Sequence, residues 1–390
     1  MKTDDSAVDI KDVDLMGNGK RVVHITTVHH PYDPRIFYKQ CMSLKKAKYD
    51  VYLIAQKAEH EQNDIKHIPL QSYTSRWKRM ILGTMSAYKK AKRLNADIYV
   101  FHDPELMLVG ALLKKRHNIV IYDIHEDYVT SILQKNYIPR IFRTWIAKIY
   151  KLIEKILTRN MELCLAEKYY KDLYGRGTCI LNYPLINENL LQNKQSENKM
   201  RENKVLYTGN VTVDRGALIH AKIPKIDPNV SVQFIGKCPR SLADKIYEVA
   251  GNQKDQIHLR GIDQFIVKDE IEAMYHQHHW LAGIALFPPT EHYMKKELTK
   301  FFEYMNAGLP IICSNFPVWK KFIETYKCGI AVDPYNEEEI KNALNTLRNN
   351  PQLANEMGKN GRKAVQEELN WLSEERKLLD WYEQLLERKG

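Results

Sequence analysis

The sequence lacks any long apolar run. Its longest, from Trp280 to Phe287, is far shorter than the roughly 20 residues that a helix needs to cross a bilayer. The N-terminus is polar and acidic, and does not resemble a signal peptide. We therefore expect a cytoplasmic protein without a membrane span, which could still lie peripherally on the inner face of the cell membrane.

Several familiar site patterns are also missing. The six cysteines are scattered, with no C-x-x-C pair and no histidine at zinc-site spacing, so neither a disulfide framework nor a metal cluster is indicated. No strand-to-helix turn carries G-x-G-x-x-G, and no G-x-x-x-x-G-K-[ST] occurs. The usual dinucleotide-binding and P-loop interpretations have no support, and any phosphate chemistry must rest on other residues.

The 390 residues, with 44% hydrophobic composition, suffice for two ordinary domains that each bury a core. A net charge of +11 indicates either a solvated basic surface or anionic partners such as lipid headgroups, nucleic acid or phosphorylated substrates. Charge alone does not choose among these partners. The basic segments match no recognition motif of a nucleic-acid-binding module, so we expect no nucleic-acid partner.

Short runs rich in Val, Ile and Tyr alternate with helical patterns from Arg21 onward, which predicts α/β domains with parallel sheets. The predicted strands cover 21–27, 51–55, 98–101, 119–122, 161–165 and 178–181, then 205–207, 232–235, 257–259, 281–286, 311–312 and 330–332. Two Rossmann-like domains in tandem would leave a ligand cleft between the carboxyl edges of their sheets.

The predicted boundaries follow from composition. Residues 1–20 are acidic and poor in large apolar side chains, so they predict a flexible tail. The first domain then covers 21–186, and the Asn-, Gln-, Glu- and Lys-rich stretch 187–204 is interpreted as a linker. The second domain covers 205–371. A final helix, 372–390, could return to brace the first domain.

The turn after the first strand of the second domain contains Gly209 and Asn210, and Arg215 enters the helix that follows. A glycine-bearing turn at a helix N-terminus presents backbone N–H groups, and an arginine adds a bidentate cation, which together suit a pyrophosphate. An ordinary strand-to-helix turn with a surface arginine remains the alternative.

Lys300 and Glu303 stand three residues apart near the start of a predicted helix, so both lie on one helical face. The carboxylate could accept hydrogen bonds from two ribose hydroxyls while the lysine meets phosphate. An intrahelical Lys–Glu ion pair would produce the same spacing.

The segment from Leu298 to Ile312, LTKFFEYMNAGLPII, resembles the P-x-K-x-F-E-Y-M-A-A-G-L-P-V-I signature of glycosyltransferase family 4, whose members are retaining enzymes of GT-B architecture. Three segments of the first half are similar to the same family: TTVHHPYDPRIF (26–37), FHDPEL (101–106) and IYDIHEDY (121–128). The resemblance extends from Arg21 to the C-terminus. It implies a GT-B fold of two Rossmann-like domains that face each other across a cleft.

The resemblance also implies the residue roles. Glu303 would bind the ribose of a nucleoside-diphosphate sugar, and Arg215 and Lys300 would neutralise the departing diphosphate. His125 would contact the donor sugar near the reacting carbon; a structural hydrogen-bonding role is the alternative for this histidine. The expected donor carries UDP or GDP, the sugar is of hexose type, and transfer retains the anomeric configuration. The acceptor would be a glycan or a polyprenyl-linked glycan in cell-surface polysaccharide or glycoconjugate synthesis.

No cofactor or metal is expected, because the only D-x-D is Asp12-Val13-Asp14, which precedes the first strand. One departure from the family pattern bears on activity: many relatives have a glutamate eight residues before the position of Glu303, and here Lys295 stands there. Two alternatives therefore remain open, a non-catalytic relative that binds nucleotide sugar or a glycan lipid, and a nucleotide-sugar epimerase.

Polar residues that follow strands of the first domain are candidates for the acceptor side of the cleft. These are His29, Asp33, Arg35, His102, Asp103 and Glu126. A polar loop is commonplace at such an edge, and Pro104, as the first residue of a helix, accounts for part of the pattern in structural terms.

Two segments of the first half are rich in basic residues, and one of them, Pro139–Arg159, carries apolar side chains at helical spacing. In Pro139–Arg159 a stripe of Ile, Leu, Phe and Trp runs beside lysines and arginines, and Ser75–Arg93 contains eight basic or tryptophan side chains. Either the stripe of Pro139–Arg159 packs on the first domain's sheet, or Pro139–Arg159 and Ser75–Arg93 together lie on an anionic membrane.

Overall fold

The computed structural model describes residues 17–58, 65–133, 139–186 and 201–389. The chain divides into two compact units. The first comprises Met1–Asn182 together with Trp371–Gly390, and the second comprises Tyr183–Asn370.

The first unit is built on a seven-stranded, wholly parallel sheet in the order β3-β2-β1-β4-β5-β6-β7. Its strands are β1 (Arg21–Ile25), β2 (Asp50–Gln56), β3 (Lys66–Leu70), β4 (Ile98–Phe101), β5 (Ile119–Ile124), β6 (Glu162–Leu165) and β7 (Thr178–Cys179). Its helices are α1 (Pro34–Cys41), α2 (Met42–Lys46), α3 (Arg76–Lys78), α4 (Arg79–Gly83), α5 (Thr84–Leu94), α6 (Met107–Leu113), α7 (Tyr128–Leu133), α8 (Arg140–Thr158), α9 (Tyr170–Tyr174) and α19 (Trp371–Glu387). Such a parallel sheet needs crossover helices on its faces, and this unit has them.

Two apolar clusters fill the first unit. In one, Trp371, Leu378 and Tyr382 of α19 pack with Val22 and Ile36. In the other, Ala87 and Ala91 of α5 pack with Val23, Phe101 and other side chains of the sheet. The final helix is therefore part of the first unit's core.

The second unit has a six-stranded parallel sheet in the order β10-β9-β8-β11-β12-β13. The strands are β8 (Glu202–Thr208), β9 (Ser231–Cys238), β10 (Ile257–Ile262), β11 (Trp280–Ala285), β12 (Ile311–Ser314) and β13 (Gly329–Val332). The helices are α10 (Ala217–His220), α11 (Ile223–Ile226), α12 (Arg240–Ala250), α13 (Lys268–Gln277), α14 (Glu291–Met294), α15 (Thr299–Asn306), α16 (Pro317–Tyr326), α17 (Glu337–Asn349) and α18 (Pro351–Glu367). Two parallel α/β sheets confirm the predicted fold class.

The sequence missed strand β3, which contains Pro69. Proline has no N–H to give to a ladder, so it argues against a central strand and is tolerated at a sheet edge. β3 lies at that edge and pairs only with β2.

The predicted boundaries differ from the structure at several places. Residues 17–20, assigned to the tail, are hydrogen-bonded: the Gly17 N–H donates to Ala47 O at 2.8 Å and Gly19 N–H to Lys48 O at 3.2 Å. Strand β8 starts at Glu202, inside the predicted linker, because its first residues pair with β11. Residues 1–16 and 187–200 lie outside the described residues.

Helix α8 does not bury its apolar stripe. Its inward residues include Ala147, Glu154 and Thr158, whereas Trp145 is 62% exposed and Leu152 is 59% exposed. The interpretation that this stripe packs on the sheet is therefore wrong. Among the described residues, no helix combines the length and apolarity that a bilayer crossing demands.

Candidate functional site

In the first unit, polar side chains gather where β1, β4 and β5 end. His29 follows β1, His102 and Asp103 follow β4, and Asp123 and His125 come at the end of β5 and directly after it. The three strands are neighbours in the sheet. Because the carboxyl ends of parallel strands meet at one edge, residues that are far apart in sequence come together here.

The Asp123 carboxylate is the centre of this group, and it is fully buried. Arg35 donates to it from Nε at 3.1 Å and from Nη2 at 2.7 Å, and Gln40 Nε2 donates at 2.7 Å. Burial alone would raise the pKa of Asp123, but the charge of Arg35 and the contacts with His125 and His102 hold this pKa well below its usual range. The carboxylate is thus kept ionised.

His125 lies 2.6 Å from the same carboxylate, measured from Nε2 to Asp123 Oδ2. His102 Nδ1 is 3.1 Å from that oxygen and 3.2 Å from His125 Nε2. Burial lowers the pKa of His102 despite the hydrogen bond with Asp123, so its ring is neutral at physiological pH. With Nε2 directed at Asp123, His125 has Nδ1 as its other polar atom, and its side chain is 11% exposed.

His29 stands beside His125, with ring centroids 5.1 Å apart. Its Nδ1 is 3.4 Å from Asp33 Oδ2, and its Nε2 is 3.5 Å from Asp103 Oδ1. Burial would lower the pKa of His29, but the hydrogen bond with Asp33 and the charge of Asp103 raise it above its ordinary value. His29 therefore holds a positive charge to higher pH than a free histidine.

The other candidates of this unit fall into two groups. Arg35, His102 and Asp103 are buried, at 3%, 1% and 0% exposure, so their side chains position neighbours instead of presenting a surface to an acceptor. Asp103, for example, accepts from the Thr27 N–H at 2.6 Å and holds the loop after β1. Asp33 is partly exposed and caps α1, and Glu126 is exposed.

His102, Asp123 and His125 place one ligand atom each within 4.8 Å of one another, which is the type of cluster that can hold a metal ion. Two features oppose a cation here. The 2.6 Å separation of His125 Nε2 from Asp123 Oδ2 is that of a direct hydrogen bond. Two atoms that each lie about 2 Å from one tetrahedral zinc ion would be farther from each other, at about 3.3 Å. The Arg35 guanidinium already neutralises the carboxylate.

In the second unit, α15 brings Lys300 to the end of β8. Lys300 is 9% exposed, its Nζ donates to the Thr208 carbonyl oxygen, and it stands 4.2 Å above the Tyr207 ring. Burial lowers the pKa of Lys300 to about 8, although the charge of Glu303 acts in the opposite direction. Gly209 follows with φ of +88°, and a Cβ on it would stand 3.5 Å from Lys300 Nζ.

Arg215 and Glu303 are each held by a tyrosine. Arg215 Nε donates to Tyr293 Oη at 3.2 Å, and Tyr275 Oη donates to Glu303 Oε2 at 3.2 Å. Tyr275 Oη also lies 3.0 Å from Thr208 Oγ1, and Lys300 Nζ donates to the Thr208 carbonyl oxygen, so Glu303 and Lys300 meet at Thr208. The charge of Arg215 acts on the same lysine. Two cations and one carboxylate at the end of β8 suit a ligand with an anionic part and a hydroxyl-rich part.

Two further positions of the second unit are on the surface. Asn210 is exposed in the loop after β8. Lys295 is exposed too, and its Nζ contacts Glu291 Oε1 at 3.0 Å, an i,i+4 ion pair at the end of α14.

The sequence interpretation missed Asp123, Tyr275 and Tyr293. Asp123 carried a readable signal: it stands two residues before His125 in D-I-H at the end of a strand, and residues i and i+2 of a strand point to the same side. The two tyrosines carried none, because they reach the site from α13 and α14, far from their partners in sequence.

Residues 191–364 match the family described as Glycosyl transferases group 1. Comparison with curated protein sequences gives no match.

Three solved structures show the likeness of the fold. A sucrose-phosphate synthase from Thermosynechococcus elongatus aligns with a TM-score of 0.71 at 16% identity, over 95% of this chain and 100% of that one. WaaG, a glycosyltransferase involved in lipopolysaccharide biosynthesis, aligns at 0.64 and 16% identity, over 92% and 98%. Anabaena HepE in complex with UDP aligns at 0.68 and 12% identity, over 94% and 100%. The chain therefore has the GT-B fold, and its residues 191–364 match the glycosyl transferases group 1 family.

Proposed function

We propose that this glycosyltransferase moves a hexose-type sugar from a nucleoside-diphosphate donor to a glycan or lipid-linked acceptor, with retention at the anomeric carbon. The observation that carries the proposal is the grouping of Arg215, Lys300 and Glu303 near the end of β8, where Lys300 and the tyrosine that holds Glu303 both contact Thr208. These residues combine permanent positive charge, a titratable cation and a carboxylate, as a nucleotide sugar requires.

In this proposal Glu303 accepts hydrogen bonds from the ribose hydroxyls, with the Tyr275 hydroxyl fixing its carboxylate. Lys300 and Arg215 meet the diphosphate. Gly209 has no side chain beside Lys300 Nζ, so the phosphates can approach its backbone closely. Asn210, the next residue, lies on the same side of the proposed donor site. As the bond between sugar and diphosphate breaks, negative charge grows on the leaving phosphate, and preorganised cations in a partly buried site stabilise that charge.

His125 is proposed to act on the donor sugar. Because Asp123 engages Nε2, the ring is held in one orientation and can offer Nδ1 to a sugar oxygen near the reacting carbon. Arg35, His102 and Asp103 are positioning residues in this scheme. His29, Asp33 and Glu126 are the acceptor-side candidates that retain exposed surface.

Transfer is proposed to need no metal, because Arg215 and Lys300 supply the positive charge that a divalent ion would otherwise give the leaving group. The measurement is transfer in the presence of a chelator. Full activity is expected, and loss of activity that added Mg²⁺ or Mn²⁺ restores would contradict the proposal.

The donor is proposed to be a UDP- or GDP-sugar. HepE was crystallised with UDP and with UDP-glucose, which favours testing uridine donors first. A thermal-shift screen against UDP-, GDP- and dTDP-sugars identifies the donor, because a ligand that binds the native state raises its melting temperature. No shift with any of the three classes would contradict the proposal.

For the acceptor we propose a glycan or polyprenyl-linked glycan of cell-surface polysaccharide synthesis, reached at the inner face of the membrane. Incubation of the identified donor with such acceptors, followed by NMR of the product, tests both acceptor and stereochemistry. An inverted anomeric centre would refute retention.

Lys295, which stands where many members of the resembled family have a glutamate, favours one second candidate, a non-catalytic relative that binds nucleotide sugar. Donor binding by the wild type, with no hydrolysis or transfer by either the wild type or Glu303→Ala, would select that candidate. Conversion of the donor sugar without any acceptor would instead select an epimerase.

A further inference from the structure

Helix α8 is held in one rotation by the side chains that it turns inward. Glu154 is 4% exposed and accepts hydrogen bonds from the hydroxyls of Tyr150 at 3.1 Å and Tyr174 at 3.3 Å. Thr158 and Ala147 are buried on the same side of the helix. Because α8 packs on the first unit through these small and polar residues, its large apolar residues lie on the opposite side of the helix.

That opposite side is apolar along the whole helix. Phe142 is 61% exposed, Trp145 62%, Ile149 54%, Leu152 59% and Ile156 55%. Exposed aromatic and aliphatic side chains in a continuous row are far from the scattered single residues that are normal on a protein surface. We therefore expect this row to contact a partner that removes its apolar side chains from water.

The exposed apolar surface continues onto neighbouring helices. α6 packs against both α5 and α8, and its Leu108 and Leu112 are each 57% exposed. The α3–α5 segment repeats the inversion seen in α8: Ala87 faces inward, whereas Trp77 is 73% exposed and Ile81 is 59% exposed. We call α3–α5, α6 and α8 together the apolar face of the first unit.

Basic residues accompany this face. On α8, Lys148, Lys151 and Lys155 are exposed along one flank of the apolar row, and Lys148 Nζ stands 5.9 Å from the centre of the Trp145 ring. Beside Trp77, Arg76 and Lys78 are exposed. Apolar and tryptophan side chains bordered by lysine are the composition of helices that lie in the boundary between lipid headgroups and acyl chains.

We propose that the apolar face lies on an anionic lipid bilayer, with Trp77, Trp145 and the aliphatic side chains of α8 entering the headgroup region. The charge of the flank selects the occupant: a purely apolar protein partner would gain nothing from these lysines, whereas anionic lipids pair with them. Such binding would bring the enzyme to the polyprenyl-linked acceptor of the proposed function, on which its biological purpose rests. Binding to lipid itself needs neither donor nor acceptor.

Flotation of the full chain with vesicles tests this proposal. We expect the protein to float with phosphatidylcholine vesicles that contain phosphatidylglycerol, to bind pure phosphatidylcholine vesicles at least tenfold more weakly, and to bind more weakly as salt is added. Absence of binding to the anionic vesicles at low salt would overturn the proposal. Glycosyl transfer to a water-soluble acceptor, measured separately, reports on the proposed enzyme activity and is independent of the vesicle result.

Variants separate the two components of the surface. The triple variant Trp145→Ser, Ile149→Ser, Leu152→Ser should lose at least tenfold in vesicle binding, and Lys148→Gln, Lys151→Gln, Lys155→Gln should lose the preference for anionic lipid. The matched control, Phe265→Ser, Val267→Ser, Tyr335→Ser, removes exposed apolar side chains of the second unit and should bind vesicles as the wild type does. Equal binding by the wild type and the α8 apolar variant contradicts the assignment.

A second copy of the chain is the rival occupant. Analytical ultracentrifugation would reveal it as a dimer that the apolar α8 variant converts to monomer, and such a dimer without vesicle binding would overturn the proposal. Since all substituted side chains are exposed, melting temperatures close to that of the wild type are expected, and they verify that each variant is folded.

Discussion

Asp123 Oδ2 lies 2.6 Å from His125 Nε2, at the end of strand β5 of the first unit. The carboxylate is fully buried and ionised, whereas the imidazole retains some exposure. The carboxylate fixes which ring nitrogen of His125 faces away from it, so the ring is held in one orientation. This contact makes His125 an oriented and partly exposed group of this edge, and Asp123 the residue that orients it.

Replacing His125 should slow the chemical step more than it weakens donor binding. For His125→Gln we expect a decrease of about 100-fold in kcat, the size typical of losing one positioned hydrogen-bond donor in a transition state. The KM for the donor should change much less. The measurement is steady-state transfer by the variant, with His117→Gln, an exposed histidine of the same unit, as the control. Unchanged kcat would remove His125 from the mechanism.

Removing the guanidinium that neutralises Asp123 should destabilise the first unit. Arg35→Met leaves a buried carboxylate without its main counter-charge, which costs about 3–5 kcal/mol in the free energy of unfolding. Urea denaturation measures this cost. Arg240→Met is the matched control, because the pair of Arg240 with Asp263 is largely exposed, and it should change the free energy of unfolding by about 0–1 kcal/mol. Equal effects would mean that the buried pair is not what stabilises this edge.

Donor binding should weaken as the pH rises through the pKa of Lys300, which burial lowers to about 8. The neutral amine no longer attracts the diphosphate, so between pH 7 and pH 9 we expect the affinity to fall about tenfold. The stability of the ligand-free protein depends on pH in the opposite direction to the donor affinity. Because the unfolded chain keeps this proton up to about 10.5, the native state gains stability as the pH rises from 8 to 10.5.

Isothermal titration calorimetry with the identified donor measures this pH dependence. Lys300→Met should bind weakly at both pH values and lose the dependence, whereas Lys295→Met, which removes an exposed lysine five residues earlier, should behave as the wild type does. A wild-type affinity that is constant from pH 7 to pH 9 would refute the role of Lys300.

A side chain at Gly209 should impair donor binding beyond its effect on stability. Gly209 has φ of +88°, so Gly209→Ala forces a left-handed backbone on alanine at a cost of about 1–2 kcal/mol, and its Cβ stands 3.5 Å from Lys300 Nζ. We expect roughly tenfold weaker donor binding.

Gly175→Ala separates the two effects in that variant. Gly175 also has a positive φ, of +66°, but a Cβ there meets no atom within 4 Å. It should lower the melting temperature by a similar amount and leave donor affinity unchanged. If both variants bind donor equally well, the space beside Lys300 is not used by the ligand.

Much of the fold could be read from the sequence because buried parallel strands are nearly continuous apolar runs. β4 was predicted at its exact bounds, 98–101, and all of its residues are buried. β3 was missed because Pro69 argues against a strand, and only its place at the sheet edge permits it. The strand pattern alone gave no sign that residues 202–204 would extend β8 and pair with β11 and β9.

The sequence by itself determined the alternation of strands and helices, the spacing of Lys300 and Glu303 on one helix, and the D-I-H order that puts Asp123 and His125 on one side of β5. These are local properties, set by periods of 3.6 and 2 residues. Only the tertiary structure decided that Arg35 is buried against Asp123, that Tyr275 and Tyr293 hold Glu303 and Arg215, and that α8 turns its apolar stripe outward. Each of these depends on contacts between segments far apart in sequence, and the hydrophobic pattern of a single helix does not say whether its partner is a sheet or a lipid surface.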